Sequence, residues 1–383
     1  MELTGGAAGE DRLSELPDDV LVQILLSVDA ANNAARTSVL SRRWRRVWVL
    51  LPVLLFGRSR KPHHIRDALI AHQAALLSLS VETVSATADS VAAWLPVAAP
   101  LLAGLLIYAN VASGRDAAVQ GEEGAFELPC FEKATIISFD LGFLGLSMPP
   151  AGVFACLTYL SLKRVRFDGP FELGDTGSSL RCPCLLVLKI HNTRGLLTVT
   201  VCSESLHLME LCTLQDLEQL TVAAPLLCEF SFRRCFALGS RQPITSIVAP
   251  QLEFLHWEDF YHSSSVHLGK MEHLQSLGTY FFAYGSEPSP PPDAHAAAPP
   301  HRHGTAPDDD SAGSKALPAA APLRGILGAK PDSSARSKAL RATASLRNSL
   351  AAASWWGGKI PTMWQREWRQ AGSLIGSWRR CPS

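Results

Sequence analysis

A short apolar pattern recurs along the middle of the chain and limits what the chain can fold into. Its spacing is apolar-x-x-apolar-x-apolar, and it starts near residue 157. Side chains two positions apart on a β-strand share a face, so each unit predicts a strand with a buried inner face. Such faces become buried only when neighbouring units stack on one another. The units are Leu157, Leu160 and Leu162; Leu185, Leu188 and Ile190; Leu196, Val199 and Val201; Leu206, Met209 and Leu211; Leu217, Leu220 and Val222; Leu227, Phe230 and Phe232; Leu252, Leu255 and Trp257; and, in part, Leu274 and Leu277.

The distances between these units indicate two walls. Their first residues are separated by 28, 11, 10, 11, 10, 25 and 22 positions. The near-halving of the period in the middle predicts that alternate units lie on opposite walls of a solenoid. Repeats of about 20–29 residues with L-x-x-L-x-L are typical of leucine-rich repeats. A generic α/β domain rich in leucine remains the alternative, and Asn192 is a candidate for the asparagine ladder of regular repeats.

A second apolar pattern, at residues 12–48, has helical spacing. Pro17 suits the first turn of a helix, where its missing N–H needs no partner. Asp18 and Asp19 then place negative charge at the positive end of the helix dipole. Short helices cannot bury this much apolar surface among themselves, so the rest of the chain or a partner must cover it. The two stripes are Val20, Leu21, Ile24, Leu25 and Val28, and, after a polar break at 29–33, Ala34, Ala35, Val39, Leu40 and Val47 with Trp44 and Trp48.

These residues resemble an F-box. The resemblance rests on LPDDVL at 16–21, Ile24 and Leu25, RTSVLSRRW at 36–44, and Trp48. It is closest to the plant F-box group with leucine-rich repeats. An Ala-Pro element typical of that group, at 224–226 and 249–252, precedes two repeat strands. The break at 29–33 lacks the proline that the family often has there.

The resemblance implies an α/β chain with a three-helix F-box, then an irregular leucine-rich-repeat solenoid and a disordered C-terminal tail. The predicted units are an F-box at 12–57, a helix-and-strand connector at 58–130, repeats at 131–283 and a low-complexity tail at 284–383. The implied role is the substrate-recognition subunit of an SCF-type ubiquitin ligase. The F-box would bind a Skp-type adaptor and, through it, a cullin, while the repeats would bind an unknown substrate protein.

Adaptor contacts are carried over from the family by position. Buried aliphatic and aromatic residues usually dominate such interfaces, which favours Pro17, Ile24, Val39 and Trp44 as anchors. The implied adaptor-facing residues are Leu16, Pro17, Val20, Leu21, Ile24, Leu25, Val39, Leu40 and Trp44.

Neither nucleic-acid binding nor catalysis is predicted. The formal net charge is zero, so strong electrostatic steering toward nucleic acid is not expected. The arginines at 42–46 around Trp44 suggest a nucleic-acid patch or nuclear localisation signal, but the solvated face of a helix explains them more simply. No common catalytic, phosphate-binding or dinucleotide motif occurs, so no catalytic residue, metal or cofactor is predicted. His63, His64 and Asp67 lie on what we expect to be a polar helix face.

Nine cysteines are scattered without a C-x-x-C pair, and no signal peptide follows Met1. This predicts a reducing compartment, the cytoplasm or nucleus or both, with cysteines as small apolar core residues. The segment Cys182-Pro183-Cys184 has no histidine at ligand spacing, which favours a structural role over a metal or redox site.

Residues 91–109 contain no charge and are nearly long enough to span a bilayer. Pro96 and Pro100 argue against one continuous helix, although membrane helices tolerate proline better than others. We expect instead a helix near 90–94, a break at the prolines and a buried strand near 102–108.

After residue 284 the sequence becomes rich in proline, alanine and polar residues and cannot bury a core. A short basic helix at 338–353 is compatible with the sequence. The tryptophans among arginines that follow suit nucleic-acid stacking or a membrane surface, but we expect a tail unrelated to the fold. A truncated or alternatively spliced product is the alternative.

Function in a solenoid usually lies on the concave face or on loops at one edge. The alternative to a substrate receptor is a structural or membrane-associated repeat protein, or a truncated F-box relic without substrate binding. The expected exposed candidates for a substrate surface are Lys163, Arg164, Arg166, Lys189, His191, Arg233, Arg234, Glu253, His256, Glu258 and Asp259.

Overall fold

Short helices lie before and between the first three strands of a long run of parallel strands. The helices are α1 (Asp18–Ser27), α2 (Arg42–Trp48), α3 (Pro62–Ala71), α4 (Ala88–Ala92) and α5 (Leu95–Ala98). Residues 28–41, where the middle F-box helix is expected, lie outside the described residues, as does the predicted tail at 284–383. The computed structural model describes residues 15–27, 42–58, 62–111, 124–149, 152–174, 180–236, 243–260 and 265–282.

The described strands form two main parallel sheets, called here the front sheet and the back sheet. The front sheet has the order β1-β2-β3-β5-β8-β12-β14-β16-β18-β20, the back sheet has the order β19-β17-β15-β13-β10-β11-β7, and β4-β6-β9 form a small third sheet. The strands are β1 (Val53–Phe56), β2 (Leu76–Val84), β3 (Leu102–Val111), β4 (Ala125–Glu127), β5 (Ile136–Asp140), β6 (Gly145–Ser147), β7 (Gly152–Val153), β8 (Tyr159–Lys163), β9 (Arg166–Phe167), β10 (Phe171–Leu173), β11 (Leu180–Arg181), β12 (Val187–Thr193), β13 (Thr198–Cys202), β14 (Leu208–Leu214), β15 (Gln219–Ala223), β16 (Glu229–Arg233), β17 (Ile244–Val248), β18 (Phe254–Phe260), β19 (Val266–Leu268) and β20 (Ser276–Phe282).

The two-walled solenoid predicted from the repeat spacing is confirmed. The units that begin at 157, 185, 206, 227 and 252 supply β8, β12, β14, β16 and β18 of the front sheet, and the partial unit at 274 supplies β20. The two units at half spacing, which begin at 196 and 217, supply β13 and β15 of the back sheet. The inner residues of both walls, among them Leu188 and Leu220, are fully buried between the sheets.

The apolar segment at 91–109 lies within this fold. α4 ends at Ala92, α5 follows as a short helix with Pro96 in its first turn, and β3 begins at Leu102. None of the helices in the described part of the chain combines the length and apolar character needed to cross a bilayer. The strand expected near 102–108 is confirmed, and its Tyr108 ring packs 5.6 Å from that of Trp94.

Asn192 does not form the asparagine ladder, which corrects that prediction. The chain has φ 53° at Asn192, and the buried position of this turn is Thr193 instead. Asn110 occupies a ladder position. Its Nδ2 donates to the carbonyls of Ala86 and Leu141 at 3.1 and 3.3 Å, and its Oδ1 accepts from the Ala86 N–H at 2.9 Å.

The cysteine prediction holds for part of the set. Cys182 and Cys235 are buried, and burial raises the pKa of the Cys182 thiol to about 12. Cys156 and Cys202 are exposed, so the expectation that the cysteines act as core residues is wrong for these two.

Candidate functional site

The first surface of interest is the helical N-terminal part. The Leu21 N–H donates to the Pro17 carbonyl at 3.1 Å, which starts α1 at the expected proline. Arg43 on α2 holds the two helices together, because its Nε donates to Asp18 Oδ1 at 2.9 Å and its Nη2 donates to the Leu16 carbonyl. The start of α1 is therefore fixed against α2 through one guanidinium.

The residues predicted to face an adaptor divide between two sides of these helices. Leu21 and Leu25 are 1% and 3% exposed and belong to the chain's own core. Pro17 and Val20 are exposed, and Val20 keeps 37% of its surface accessible. The half-buried members that pack against the core are Leu16, Ile24 and Trp44. Val39 and Leu40 lie outside the described residues.

The basic run on α2 fits the interpretation as a solvated helix face. Arg42, Arg45 and Arg46 are exposed, whereas Arg43 is half-buried in its contact with Asp18. Val47, which directly follows Arg46 on the same helix, is fully buried.

The second surface is the outer face of the front sheet, where strand register places side chains in rows. The central row runs through Ser161, Lys189, Glu210, Ser231 and His256 on consecutive strands. Two residues further along the same strands, a second row runs through Lys163, His191, Cys212, Arg233 and Glu258. Two residues before the central row, a third row runs through Tyr159, Val187, Leu208, Glu229 and Phe254.

Glu210 is the centre of a charge network on this face. Arg233 Nη2 lies 2.7 Å from Glu210 Oε1, Lys189 Nζ lies 3.1 Å from Oε2, and His191 Nε2 lies 3.6 Å from Oε1. Burial alone would raise the pKa of Glu210, but the interactions with His191 and Lys189 outweigh it and hold the pKa well below its usual range. Glu210 is therefore ionised and joins three strands at their outer surface.

Lys163 lies next to this network and is half-buried. Burial lowers its pKa, and the nearby carboxylates Asp140 and Glu210 act in the opposite direction. Asp140 is itself paired with Arg164, whose Nε lies 2.6 Å from Asp140 Oδ1.

Similar pairs recur between other coils at this end of the front strands. Arg58 pairs with Glu82 at 2.7 Å, and Arg234 pairs with Glu258 at 2.9 Å. Arg58, Arg164 and Arg234 thus each pair with one carboxylate, whereas several cations share Glu210.

A groove of about 380 Å³ opens beside Glu210 on the same face. Its lining combines apolar, acidic and small residues, and comprises Leu208, Met209, Glu210, Glu229, Phe230, Ser231, Arg233, Phe254, Leu255, His256, Ser276 and Gly278. A second cavity, of about 470 Å³, lies at the back sheet and includes Cys182, Pro183 and Cys202.

Two of the expected surface candidates prove to be buried. Lys189 is 7% exposed and Asp259 only 2%, so the expectation that both are exposed is wrong. Asp259 has a structural role, because its Oδ2 accepts hydrogen bonds from the backbone N–H groups of Cys235 and Phe236. Glu210 and Glu229, which sequence reasoning missed, line the groove.

No metal-binding group of three or more histidine, cysteine, aspartate or glutamate residues occurs among the described residues. His63 and His64 on α3 are exposed, with ring centroids 4.3 Å apart.

Comparison with known proteins gives a family match at the helical surface. Residues 13–55 match the F-box domain. A putative F-box/FBD/LRR-repeat protein of Arabidopsis thaliana is 27% identical over 259 residues, which is 65% of this chain and 53% of that protein. A second protein of the same description and organism is 27% identical over 266 residues, 67% of this chain and 53% of the relative. A putative FBD-associated F-box protein, also from Arabidopsis thaliana, is 30% identical over 196 residues, 48% of this chain and 41% of the relative.

The chain thus spans about half the length, 53%, of the first two relatives. No solved structure gives a significant match. The F-box match, the relatives and the parallel two-walled solenoid together support a plant F-box protein with leucine-rich-repeat-like coils.

Proposed function

From an F-box placed ahead of a repeat solenoid, we infer that this chain is the substrate-recognition subunit of an SCF-type ubiquitin ligase. Its helices bind a Skp-type adaptor, and its front sheet binds a substrate protein. The observation that carries this proposal is the F-box match at residues 13–55, which coincides with the α1–α2 pair fixed by Arg43.

The division of the F-box residues between two sides of the helices supports adaptor binding. Leu21 and Leu25 anchor α1 in the chain's own core, which leaves the other side of the helix free for a partner. Pro17, Val20 and the accessible parts of Ile24 and Trp44 supply apolar surface there. Apolar and aromatic anchors of this kind commonly carry most of the binding energy of an interface.

The outer face of the front sheet supports substrate binding. It presents an unusually concentrated charge network around Glu210 next to a groove, and parallel solenoids commonly use such extended surfaces to bind proteins. In this role the chain performs no chemistry of its own. It raises the local concentration of the substrate near the ubiquitin-charged enzyme, an effect of proximity. The cytoplasm and the nucleus are the proposed locations.

The test uses the tagged full-length chain in plant cells. We expect the wild type to co-purify with a Skp-type adaptor and a cullin, and Ile24→Asp and Trp44→Ala to lose both. Unchanged circular dichroism of the purified variants shows that the loss reflects docking. Adaptor recovery that is equal in wild type and both variants would contradict the proposal.

A working receptor is distinguished from a relic by its substrates. Proteins captured by the adaptor-deficient variants should accumulate when the gene is deleted and fall when the wild type is restored. A relic would dock on the adaptor and change the abundance of no captured protein.

A further inference from the structure

Charge is distributed unevenly along this chain, although its formal net charge is zero. Residues 67–282, which contain every strand after β1, have 12 lysines and arginines against 21 aspartates and glutamates, a formal net charge of −9. Residues 313–383 have 12 lysines and arginines against 2 acidic residues, a formal net charge of +10. Two parts of one chain with opposite charges of this size attract each other.

Glu229 is a carboxylate of the front-sheet groove that forms no ion pair within 4 Å among the described residues. The nearby cations Arg233 and Lys189 both contact Glu210 instead, at 2.7 and 3.1 Å. Partial burial raises the pKa of Glu229, Lys189 lowers it and Glu210 raises it further. A cation placed beside Glu229 would therefore stabilise its ionised form.

The other charges of this face lie toward the opposite ends of the front strands. There Arg164 pairs with Asp140 at 2.6 Å, and Arg234 pairs with Glu258 at 2.9 Å. Lys163 is also influenced by Asp140. These groups are engaged with one another and leave Glu229 without a cation of its own.

Apolar side chains flank Glu229 on both neighbouring strands. Its register partners are Leu208 on β14 and Phe254 on β18, and adjacent strands lie about 4.8 Å apart. Phe254 is 45% exposed, so one of these apolar walls is uncovered. A lysine or arginine fits this arrangement, because its aliphatic stem can pack on Phe254 while its charged group reaches Glu229.

The region at 313–383 contains a stretch with this chemistry, called here the basic segment. It comprises residues 336–347 and reads RSKALRATASLR, with Leu340 and Leu346 between its charges and neither an acidic residue nor a proline. Its formal net charge of +4 exceeds that of any other twelve-residue stretch in 313–383. The basic residues are Arg336, Lys338, Arg341 and Arg347.

The chain leaves the solenoid beside the groove. Ser276 and Gly278 on β20 line the groove, and β20 ends at Phe282. β20 lies two strands from β16, which is about 10 Å. The 53 residues from 283 to 335 are more than enough to bring the basic segment back over this distance. Because the segment is tethered to its own binding surface, a weak contact is sufficient.

We propose that the basic segment binds the groove beside Glu229 within the same chain. One of its basic side chains pairs with Glu229, and one of its leucines covers Phe254. The binding does not depend on the ligase role. In a substrate receptor its consequence is autoinhibition, because the segment occupies the groove until a substrate displaces it.

Competition with a synthetic peptide tests the proposal. A fluorescently labelled peptide of residues 336–347 is titrated with the full-length chain, and binding is followed by fluorescence anisotropy. A variant with glutamine at all four basic positions of the segment should bind the peptide about ten-fold more tightly than the wild type, because its groove is vacant. The matched control loses the same charge outside the segment and should bind as weakly as the wild type. It carries Lys315→Gln, Arg324→Gln, Lys330→Gln and Arg379→Gln.

Single substitutions in the four-glutamine variant locate the site. Glu229→Gln should weaken peptide binding about ten-fold. Glu218→Gln should leave it unchanged, because Glu218 is an exposed acidic residue without an ion pair among the described residues, next to the back-sheet strand β15. Unchanged circular dichroism shows that both variants are folded.

Zero-length cross-linking shows whether the contact forms within one chain. Carbodiimide treatment of the full-length wild type should join Lys338 to Glu229, with a yield that ten-fold dilution does not change. A yield that falls on dilution would assign the contact to a second copy and contradict the proposal.

Three further results would overturn it: equal peptide affinity in the wild type and the four-glutamine variant, an affinity that Glu229→Gln leaves unchanged, or peptide binding to phosphatidylserine vesicles or single-stranded RNA about ten-fold tighter than to the four-glutamine chain. None of these measurements involves the adaptor, so their failure leaves the proposed function standing.

Discussion

Arg233 on β16 donates from Nη2 to Glu210 Oε1 on the neighbouring strand β14, at 2.7 Å. Lys189 and His191 on β12 approach the same carboxylate from the other side. One side chain therefore links the outer surfaces of three strands, and its charge is required to balance the cations around it.

Replacement of Glu210 by glutamine should destabilise the fold by about 2–3 kcal/mol at neutral pH, because partly buried cations lose their charged acceptor. Since the pKa of Glu210 is lower in the folded chain than its ordinary 4.5, the ionised group stabilises the fold above that pH. This contribution decreases gradually as the pH falls from 4.5 toward the much lower pKa of the folded chain, so the difference between wild type and variant should become smaller in acid. Urea unfolding at about pH 7 and about pH 3 measures this. A constant difference at both pH values would contradict it.

Asp259→Ala should be more destabilising than the same change at Asp216. The buried Asp259 carboxylate accepts from two backbone N–H groups, of Cys235 and Phe236, which the variant leaves without that acceptor. The expected loss is about 2–4 kcal/mol. Asp216 Oδ2 accepts one exposed bond from the Gly195 N–H at 2.9 Å, and its removal should cost under about 1 kcal/mol. Thermal unfolding compares the two, and equal losses would contradict the assigned role of Asp259.

A pair of leucines tests where the solenoid core ends. Leu255 and Leu277 are register partners on β18 and β20, but Leu255 is 4% exposed and Leu277 is 56% exposed. Leu255→Ala should lower the free energy of unfolding by about 2–5 kcal/mol through the cavity that it creates. Leu277→Ala should lower it by less than about 1 kcal/mol. Similar effects in chemical denaturation would mean that the last strand is covered.

His72 should make the fold sensitive to mild acid. Burial lowers its pKa from the ordinary 6.5, and its ring packs edge-on against Trp48 with centroids 6.4 Å apart. Below pH 6.5 the unfolded chain takes up a proton more readily than the folded chain, so stability falls as the pH is lowered. His72→Phe should reduce this loss, and His63→Phe, at an exposed position on α3, should not. Melting temperatures across this pH range decide between these outcomes.

The repeat pattern predicted much of the solenoid because the spacing apolar-x-x-apolar-x-apolar recurs in most of its coils. The same spacing also occurs at Leu76, Leu79 and Val81 on β2, all fully buried, so this coil was accessible to the same reasoning. β3 was predicted from its uncharged apolar run and not from the repeat spacing, because residues on both of its faces are buried and the alternation is lost. The prediction that Asn192 belongs to the asparagine ladder was wrong by one residue. The residue that points inward is Thr193, three positions after Ile190.

The charge network was missed although the repeat spacing contains it. Lys189 and Glu210 each lie between the last two apolar residues of units that start 21 positions apart, so stacking of these units places them side by side. The burial of Asp259 could not be predicted in this way, because it depends on a turn of the preceding coil whose backbone N–H groups need an acceptor. The amino-acid sequence determines which residues are charged, and the strand register determines which of them come into contact.

The most direct test of the docking account is the affinity of the full-length chain for a purified Skp-type adaptor, measured by isothermal titration calorimetry. Val20 is 37% exposed on α1, and Val20→Asp should weaken binding by at least about ten-fold. Ile70 is 57% exposed on α3, outside the α1–α2 pair, and Ile70→Asp should bind as the wild type does. Wild-type affinity in the Val20→Asp variant would contradict adaptor docking through this surface.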